Sequence, residues 1–165
     1  MKLILKNKLV SLGGSSFVLD ENGNQKFVVK GNMFTFTRKK KIYDMEGNLL
    51  YIVRNKYWHF LKDTCFVYNA DKQKVLTISE NRFDFKKEFI VNSFEDEIAF
   101  TGKFFQFPNI KLDIEKNGVN IGTLTKDFTI ARDQYTLNIN DDNEAGLFVA
   151  LVVAVDNIID KKRED

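Results

Sequence analysis

The chain has 165 residues, a formal net charge of +2, a single cysteine and sixteen phenylalanines. A domain of this size buries about 70% of the surface that its unfolded chain exposes, so it can fold without a disulfide or a structural metal. One cysteine cannot form an intrachain disulfide, so the chain is compatible with a reducing compartment, and the cytoplasm is the default expectation. The small net charge gives no support to a nucleic-acid partner.

The first segment, residues 1–10, mixes lysines with apolar residues. The lysines interrupt the apolar run before it reaches the roughly 7–15 residues of a signal-peptide core. We therefore predict a first β-strand here.

A repeated hairpin follows. Residues 17–29 place an Asp, an Asn and a Gly between two apolar runs, and residues 41–53 repeat the pattern with a period of about 24 residues. Residues 66–78 keep the spacing without the glycine, and residues 112–121 hold another Asn-Gly turn. Asn-Gly between alternating apolar runs is a strong hairpin signal, because both central residues of a type I′ turn need positive φ.

Further strand-like segments bring the total to about a dozen; they are residues 34–37, 57–66, 82–94, 97–105, 122–125 and 135–139. So many strands need a way to remove their edges, and closure into a barrel does so. A large barrel must also be filled, and residues 145–159, which read AGLFVALVVAVDNII, are the only segment apolar enough to fill it.

We therefore predict a mainly β fold: a closed antiparallel barrel of about twelve strands around a central hydrophobic C-terminal helix. It forms one domain over residues 1–165, with strands within 1–140 and the core helix over about 143–160. The acids of residues 141–144 stand where an N-cap and a first helical turn belong.

The apolar helix has a second interpretation as a membrane anchor. As a helix, residues 145–159 are about 22 Å long, against a hydrocarbon core of about 30 Å. Asp156 interrupts the apolar run, and the charged tail lacks the excess of Lys and Arg that flanks a cytoplasmic membrane end. These features favour a helix buried in the protein.

The sequence offers little for catalysis. The only histidine is His59, and Cys65 lies six residues further on in what reads as one strand, about 20 Å away. That separation prevents a dyad, and the Cys and His counts exclude a zinc cluster. Asp20, Asn22 and Asn24 match the start of a calcium loop, but Gly31 stands where its final Glu belongs, so a hairpin turn is the better account.

One cluster of basic residues is a candidate binding site for anions or lipids; its members are Arg38, Lys39, Lys40, Lys41, Arg54 and Lys56. If these groups lie on neighbouring hairpins, their side chains form a patch that meets anionic lipid headgroups, at about 1 kcal/mol per Lys or Arg. A solvated, charged sheet edge that discourages aggregation explains the same lysines.

The repeated Asp-x-x-Gly turns, residues 44–56 and the final apolar helix together resemble the LURP-one-related family, which belongs with the tubby C-terminal-like domains and the phospholipid scramblases. The resemblance covers nearly the whole chain and implies a closed twelve-stranded barrel threaded by a hydrophobic helix. Tubby domains bind phosphoinositides through basic residues, so it also implies a binding module. Its motifs are turns and strands, and the residues from Arg38 to Lys41 are therefore candidates from charge alone.

The sequence thus predicts a non-catalytic binding or scaffold module that tethers to anionic phospholipid headgroups or to a protein. The alternative is a membrane-associated, scramblase-like protein whose C-terminal helix inserts in the bilayer. We expect no catalytic residues, no metal, no cofactor, no nucleic-acid partner and no obligate small-molecule substrate. We also expect a monomer that is cytoplasmic, or peripheral at the membrane.

Overall fold

The computed structural model of the chain describes residues 1–6, 14–31, 38–57, 63–80, 89–93, 96–101, 109–127 and 134–164. Twelve β-strands, a short 3₁₀ helix and one α-helix lie in these residues. The strands are β1 (Lys2–Lys6), β2 (Ser15–Asp20), β3 (Gln25–Gly31), β4 (Lys40–Tyr43), β5 (Leu49–Asn55), β6 (Thr64–Asn69), β7 (Lys74–Glu80), β8 (Phe89–Ser93), β9 (Glu97–Thr101), β10 (Asn109–Lys116), β11 (Val119–Asp127) and β12 (Gln134–Ile139). The 3₁₀ helix spans Asp142–Glu144, and the α-helix, α1, spans Ala145–Glu164.

The twelve strands form a closed barrel. Each pairs with its neighbours in sequence, and β1 also pairs antiparallel with β12. Leu3 lies opposite Leu137 and Leu5 opposite Tyr135, and all four side chains are buried. Closure gives every strand two partners, so the sheet has no open edge. The predicted closed antiparallel barrel is confirmed.

The repeated hairpin turns share one geometry. Asp20 accepts hydrogen bonds from the backbone N–H and the side-chain amide of Asn24 at 2.9 and 3.0 Å. Asp44 accepts the same pair from Asn48, both at 2.8 Å. These bonds hold the pKa of both carboxyl groups below the usual value. In the third copy Lys72, at φ 63°, occupies the positive-φ position that glycine holds in the first two. The carboxylate of Asp20, which matched a calcium loop, therefore stabilises a turn.

The helix α1 fills the barrel. Residues 148–158 are all at most 1% exposed, and the helix packs most closely against β5 and β6. A helix buried on every side has to be apolar on every side, which accounts for its sequence. It begins at Ala145, two residues later than predicted, because Asp142–Glu144 form a 3₁₀ turn in which the Asp141 side chain accepts a hydrogen bond from the backbone N–H of Asn143.

The two ends of the barrel differ. The hairpin end carries the β2–β3, β4–β5 and β6–β7 turns and the start of α1. The amino group of Met1 lies there too, 3.1 Å from Oδ1 of Asp142. The far end is where β3 and β5 finish and where β4 and β6 begin. The site described below lies at the far end.

Some predicted strands lie partly or wholly outside the described residues: 34–37, most of 82–94 and the last part of 97–105. Within the predicted strand 57–66, the structure describes a strand only from Thr64 onward. His59 also lies outside the described residues.

The fully buried Leu151 tests α1 as the core of the barrel. Leu151→Ala should lower the free energy of unfolding by about 2–5 kcal/mol, because it removes buried methyl groups and leaves a cavity. Val119→Ala, at an exposed position, is the control and should change it by less than about 0.5 kcal/mol. Urea titration of both variants measures the difference, and equal stability would contradict a buried α1.

Candidate functional site

Most of the predicted basic residues lie outside the barrel, on β4, β5 and the segments beside them at the far end. Lys39, Arg54 and Lys56 are exposed, and Lys41 is partly exposed. Lys41 pairs in register with Lys30 of β3, whose side chain is also exposed. We call these five residues, Lys30, Lys39, Lys41, Arg54 and Lys56, the outer basic surface.

On the outer face of these strands, two of the cationic side chains make cation–π contacts with aromatic rings. The Lys30 ammonium lies 4.9 Å from the centroid of the Tyr43 ring, and the Arg54 guanidinium lies 4.7 Å from that of Tyr68. Arg54 also donates from Nη2 to the Tyr68 hydroxyl at 2.7 Å. Such stacking restricts the motion of a long cationic side chain and keeps its charge at a defined place on the surface.

The closed barrel removes one explanation of these basic residues. Protection of an open sheet edge requires a strand with one unpaired side. Both β4 and β5 are paired on both sides, so their lysines do not guard an edge of this sheet. Moreover, Lys30 and Lys41 face each other directly across β3 and β4, and like charges in such a pair are destabilising. An anion bound between them would relieve that repulsion.

Lys40 lies on the inner face of the barrel, unlike its neighbours in the predicted cluster. Its side chain is only 9% exposed, and its Nζ lies 3.3 Å from Oδ2 of Asp156 in α1. Successive side chains of a strand alternate between the two faces of the sheet, so Lys40 and Lys41 cannot both point outward. Lys40 therefore belongs to a buried cluster and contributes no ammonium to the outer basic surface.

The buried cluster is centred on Asp156. Lys126, 1% exposed, places Nζ 3.7 Å from Oδ1 of Asp156. Lys126 also donates to the Tyr135 hydroxyl at 2.7 Å, and that hydroxyl donates to Oδ1 of Asp156 at 2.8 Å. Sequence reasoning noted Asp156 but missed Lys126 and Tyr135. The signal was available, because a carboxylate inside a buried apolar helix needs inward-facing partners on the surrounding strands.

The helix also holds the segment that precedes β4. Asn157 donates from Nδ2 to the carbonyl oxygen of Arg38 at 3.1 Å, and Arg38 adopts a φ of 44°. Lys40, two residues on, contacts Asp156. Lys39 therefore lies between two residues that are fixed to α1. Arg38 is held by Asn157, and Lys40 is held by Asp156.

Cys65 lies buried near this cluster and is a free thiol. Its S–H donates to the Arg54 carbonyl oxygen at 3.3 Å, and burial raises its pKa from 9.0 to about 12. A nucleophilic cysteine needs a lowered pKa and access to solvent. Cys65 has neither, so its environment fits a core residue.

The acids at the start of α1 are engaged by the protein itself. Asp142 contacts the Met1 amino group, and Glu144 Oε1 accepts from Lys116 Nζ at 2.5 Å. Among the described residues, no group of three or more His, Cys, Asp and Glu side chains has an arrangement that could hold a metal ion. Ion pairing thus engages Asp142 and one carboxylate oxygen of Glu144, and capping engages Asp141.

A closed antiparallel barrel of twelve strands filled by its own apolar helix is the fold that a LURP-one-related chain is expected to have. The model of the LURP-one-related family matches residues 1–156, and the chain belongs to that family. No curated protein and no solved structure matches the chain. In the described part of the chain, no helix combines the length and the apolar character needed to cross a membrane.

The buried cluster yields a stability prediction. Asp156→Ala should lower the free energy of unfolding by about 3–5 kcal/mol, because Lys40 and Lys126 stay buried without this carboxylate. Asp142→Ala is the matched control: it breaks a surface ion pair and should cost less than about 1 kcal/mol. Chemical denaturation distinguishes the two, and equal losses would mean that the Asp156 cluster stabilises no more than a surface pair.

Cys65 yields a pH prediction. Its pKa is raised in the folded state to about 12, so its contribution to stability is complete below pH 9.0 and is lost as the pH rises toward about 12. The free energy of unfolding should therefore fall more steeply between these values for the native chain than for Cys65→Ala. Urea titrations across this range test it, and parallel curves would contradict it.

Proposed function

We propose that this chain is a non-catalytic tethering module that binds anionic phospholipid headgroups through its outer basic surface. The observation that carries the proposal is that Lys30, Lys41 and Arg54 lie on the outer face of three neighbouring strands, with the exposed Lys39 directly before β4. Phosphate-bearing headgroups attract such cations, at about 1 kcal/mol per basic residue near an anionic membrane.

The filled interior supports an external binding mode. Small barrels bind ligands in a lumen only where the interior leaves room. Here α1 occupies the interior, and its residues 148–158 are buried on every side. A membrane surface is therefore met by the outer strands and their adjoining segments.

The chemistry of the described residues supports a non-catalytic role. The buried Cys65 thiol has a raised pKa, and the buried Asp156 carboxylate is held by Lys40 and Tyr135. Both groups are buried and hydrogen-bonded within the barrel. We propose a cytoplasmic monomer that associates peripherally with the membrane, and its single cysteine accords with a reducing compartment.

Vesicle sedimentation tests the proposal. The native chain should bind vesicles containing phosphatidylserine or a phosphoinositide and should not bind phosphatidylcholine vesicles. Binding should weaken between low and physiological salt, because screening shortens the reach of surface charges. The variant Lys39→Gln/Lys41→Gln/Lys56→Gln should lose about tenfold to a hundredfold in affinity at low salt. Lys40 is left unchanged because it is buried.

The matched control replaces three exposed lysines elsewhere on the barrel with glutamine, namely Lys2, Lys72 and Lys111. It has the same net charge as the test variant and should retain binding. Equal losses in both variants would mean that net charge alone drives association. Absence of binding would contradict the lipid proposal and leave a protein partner as the next candidate. Salt-insensitive binding to both kinds of vesicle would favour insertion of the helix.

A further inference from the structure

A cavity of about 440 Å³ lies at the hairpin end of the barrel, between the start of α1 and strands β5 to β9. Val75, Leu76, Ile98 and Leu147 form its apolar walls. This volume falls within the range of small-molecule sites, about 300–1,000 Å³. The cavity is separate from the outer basic surface, which lies at the far end.

Tyr51 provides an aromatic wall next to the helix. A Cβ atom at Gly146 would lie 3.3 Å from Cε2 of the Tyr51 ring, so glycine at this position lets the ring approach the helix closely. Burial, together with the nearby Glu144 carboxylate, raises the pKa of the Tyr51 hydroxyl. At neutral pH this residue therefore presents an aromatic face and a protonated hydroxyl beside an acidic side chain.

Two carboxylates, those of Asp96 and Glu144, lie at the polar side of the cavity. Lys116 bridges them, with Nζ 3.0 Å from Oδ2 of Asp96 and 2.5 Å from Oε1 of Glu144. One ammonium thus faces two carboxylates, which leaves one unit of negative charge. Asp96 Oδ1 already accepts from Asn117, whereas Glu144 Oε2 has no hydrogen-bond partner among the described residues.

Lys74, the basic residue among those that line the cavity, does not balance this charge from within the cavity. Its ammonium lies 5.3 Å from the centroid of the Phe66 ring. Phe66 follows the buried Cys65 and precedes the buried Val67, so it belongs to the outer face of β6. The charge of Lys74 is therefore directed toward the outer surface.

We propose that this cavity binds a small organic cation that carries a short apolar tail. The ammonium group lies between the Tyr51 ring and the Glu144 carboxylate, and the tail packs against Val75, Ile98 and Leu147. Both an aromatic face and a carboxylate attract a cation, and each attraction is larger where water is partly excluded. An anion of the same size is repelled by the same carboxylate.

The probe is n-hexylammonium at pH 7, titrated into the ¹⁵N-labelled full chain without lipid, with 1-hexanol and hexanoate as comparators of equal tail length. Saturable shifts of the Tyr51, Ile98 and Leu147 amide signals should occur with n-hexylammonium and be much weaker with the comparators. Glu144→Gln should weaken its binding by about tenfold, the loss expected when a charged partner becomes neutral. Val75→Phe, which fills the cavity, should abolish it.

The matched control is Glu46→Gln, the same change at an exposed turn residue of the β4–β5 hairpin, and it should bind as the native chain does. Thermal unfolding of each variant shows whether it is folded. If Glu144→Gln does not fold, the loss of binding in Val75→Phe is the test of the proposal. Equal binding of 1-hexanol, unchanged binding by Glu144→Gln, or no saturable shift would overturn the proposal. Because no vesicle is present, these outcomes are independent of lipid tethering.

Discussion

The burial of α1 on every side is the constraint that organises this molecule. The strands supply one half of the apolar core through their inward residues, and the helix supplies the other half through residues 148–158. Neither half can bury its apolar surface without the other, because a barrel of twelve strands without the helix would expose an apolar lumen to water. The polar groups inside the barrel are arranged around this contact, and Asp156 fixes the depth of the helix through Lys40 and Lys126.

Much of this architecture is readable from the sequence. The alternating segments and their Asn and Gly turns predict hairpins because turn geometry is local, and the apolar helix predicts closure because it must be covered. The direction of individual lysines was not predicted. Lys39, Lys40 and Lys41 are one charge run in the sequence, yet Lys40 points inward. That assignment depends on the register of β4 against β3 and β5, and register is a long-range property.

The partners of Asp156 also could not be predicted from the sequence. Lys126 lies on β11 and Tyr135 on β12, and only closure of the barrel brings them to the same helical residue. The presence of an acid within the apolar helix predicts that partners exist, because an unpaired buried carboxylate is costly. Which residues these partners are can be read only from the folded structure. The same holds for the cavity at the hairpin end, where Tyr51, Asp96 and Glu144 meet although they lie far apart in the sequence.

The pairing of β1 with β12 has a consequence for the synthesis of the chain. Met1 and Ile139 exchange two hydrogen bonds, one from the Met1 amino group to the Ile139 carbonyl oxygen and one from the Ile139 N–H to that of Met1. On the ribosome, β1 is made well before β12 and lacks this partner until β12 emerges, and α1 emerges later still. Until then the hairpins have no core to cover, and their apolar faces stay open to water or to chaperones. Filling of the barrel is therefore tied to the emergence of α1, and a ribosome that stalls before α1 leaves an aggregation-prone sheet.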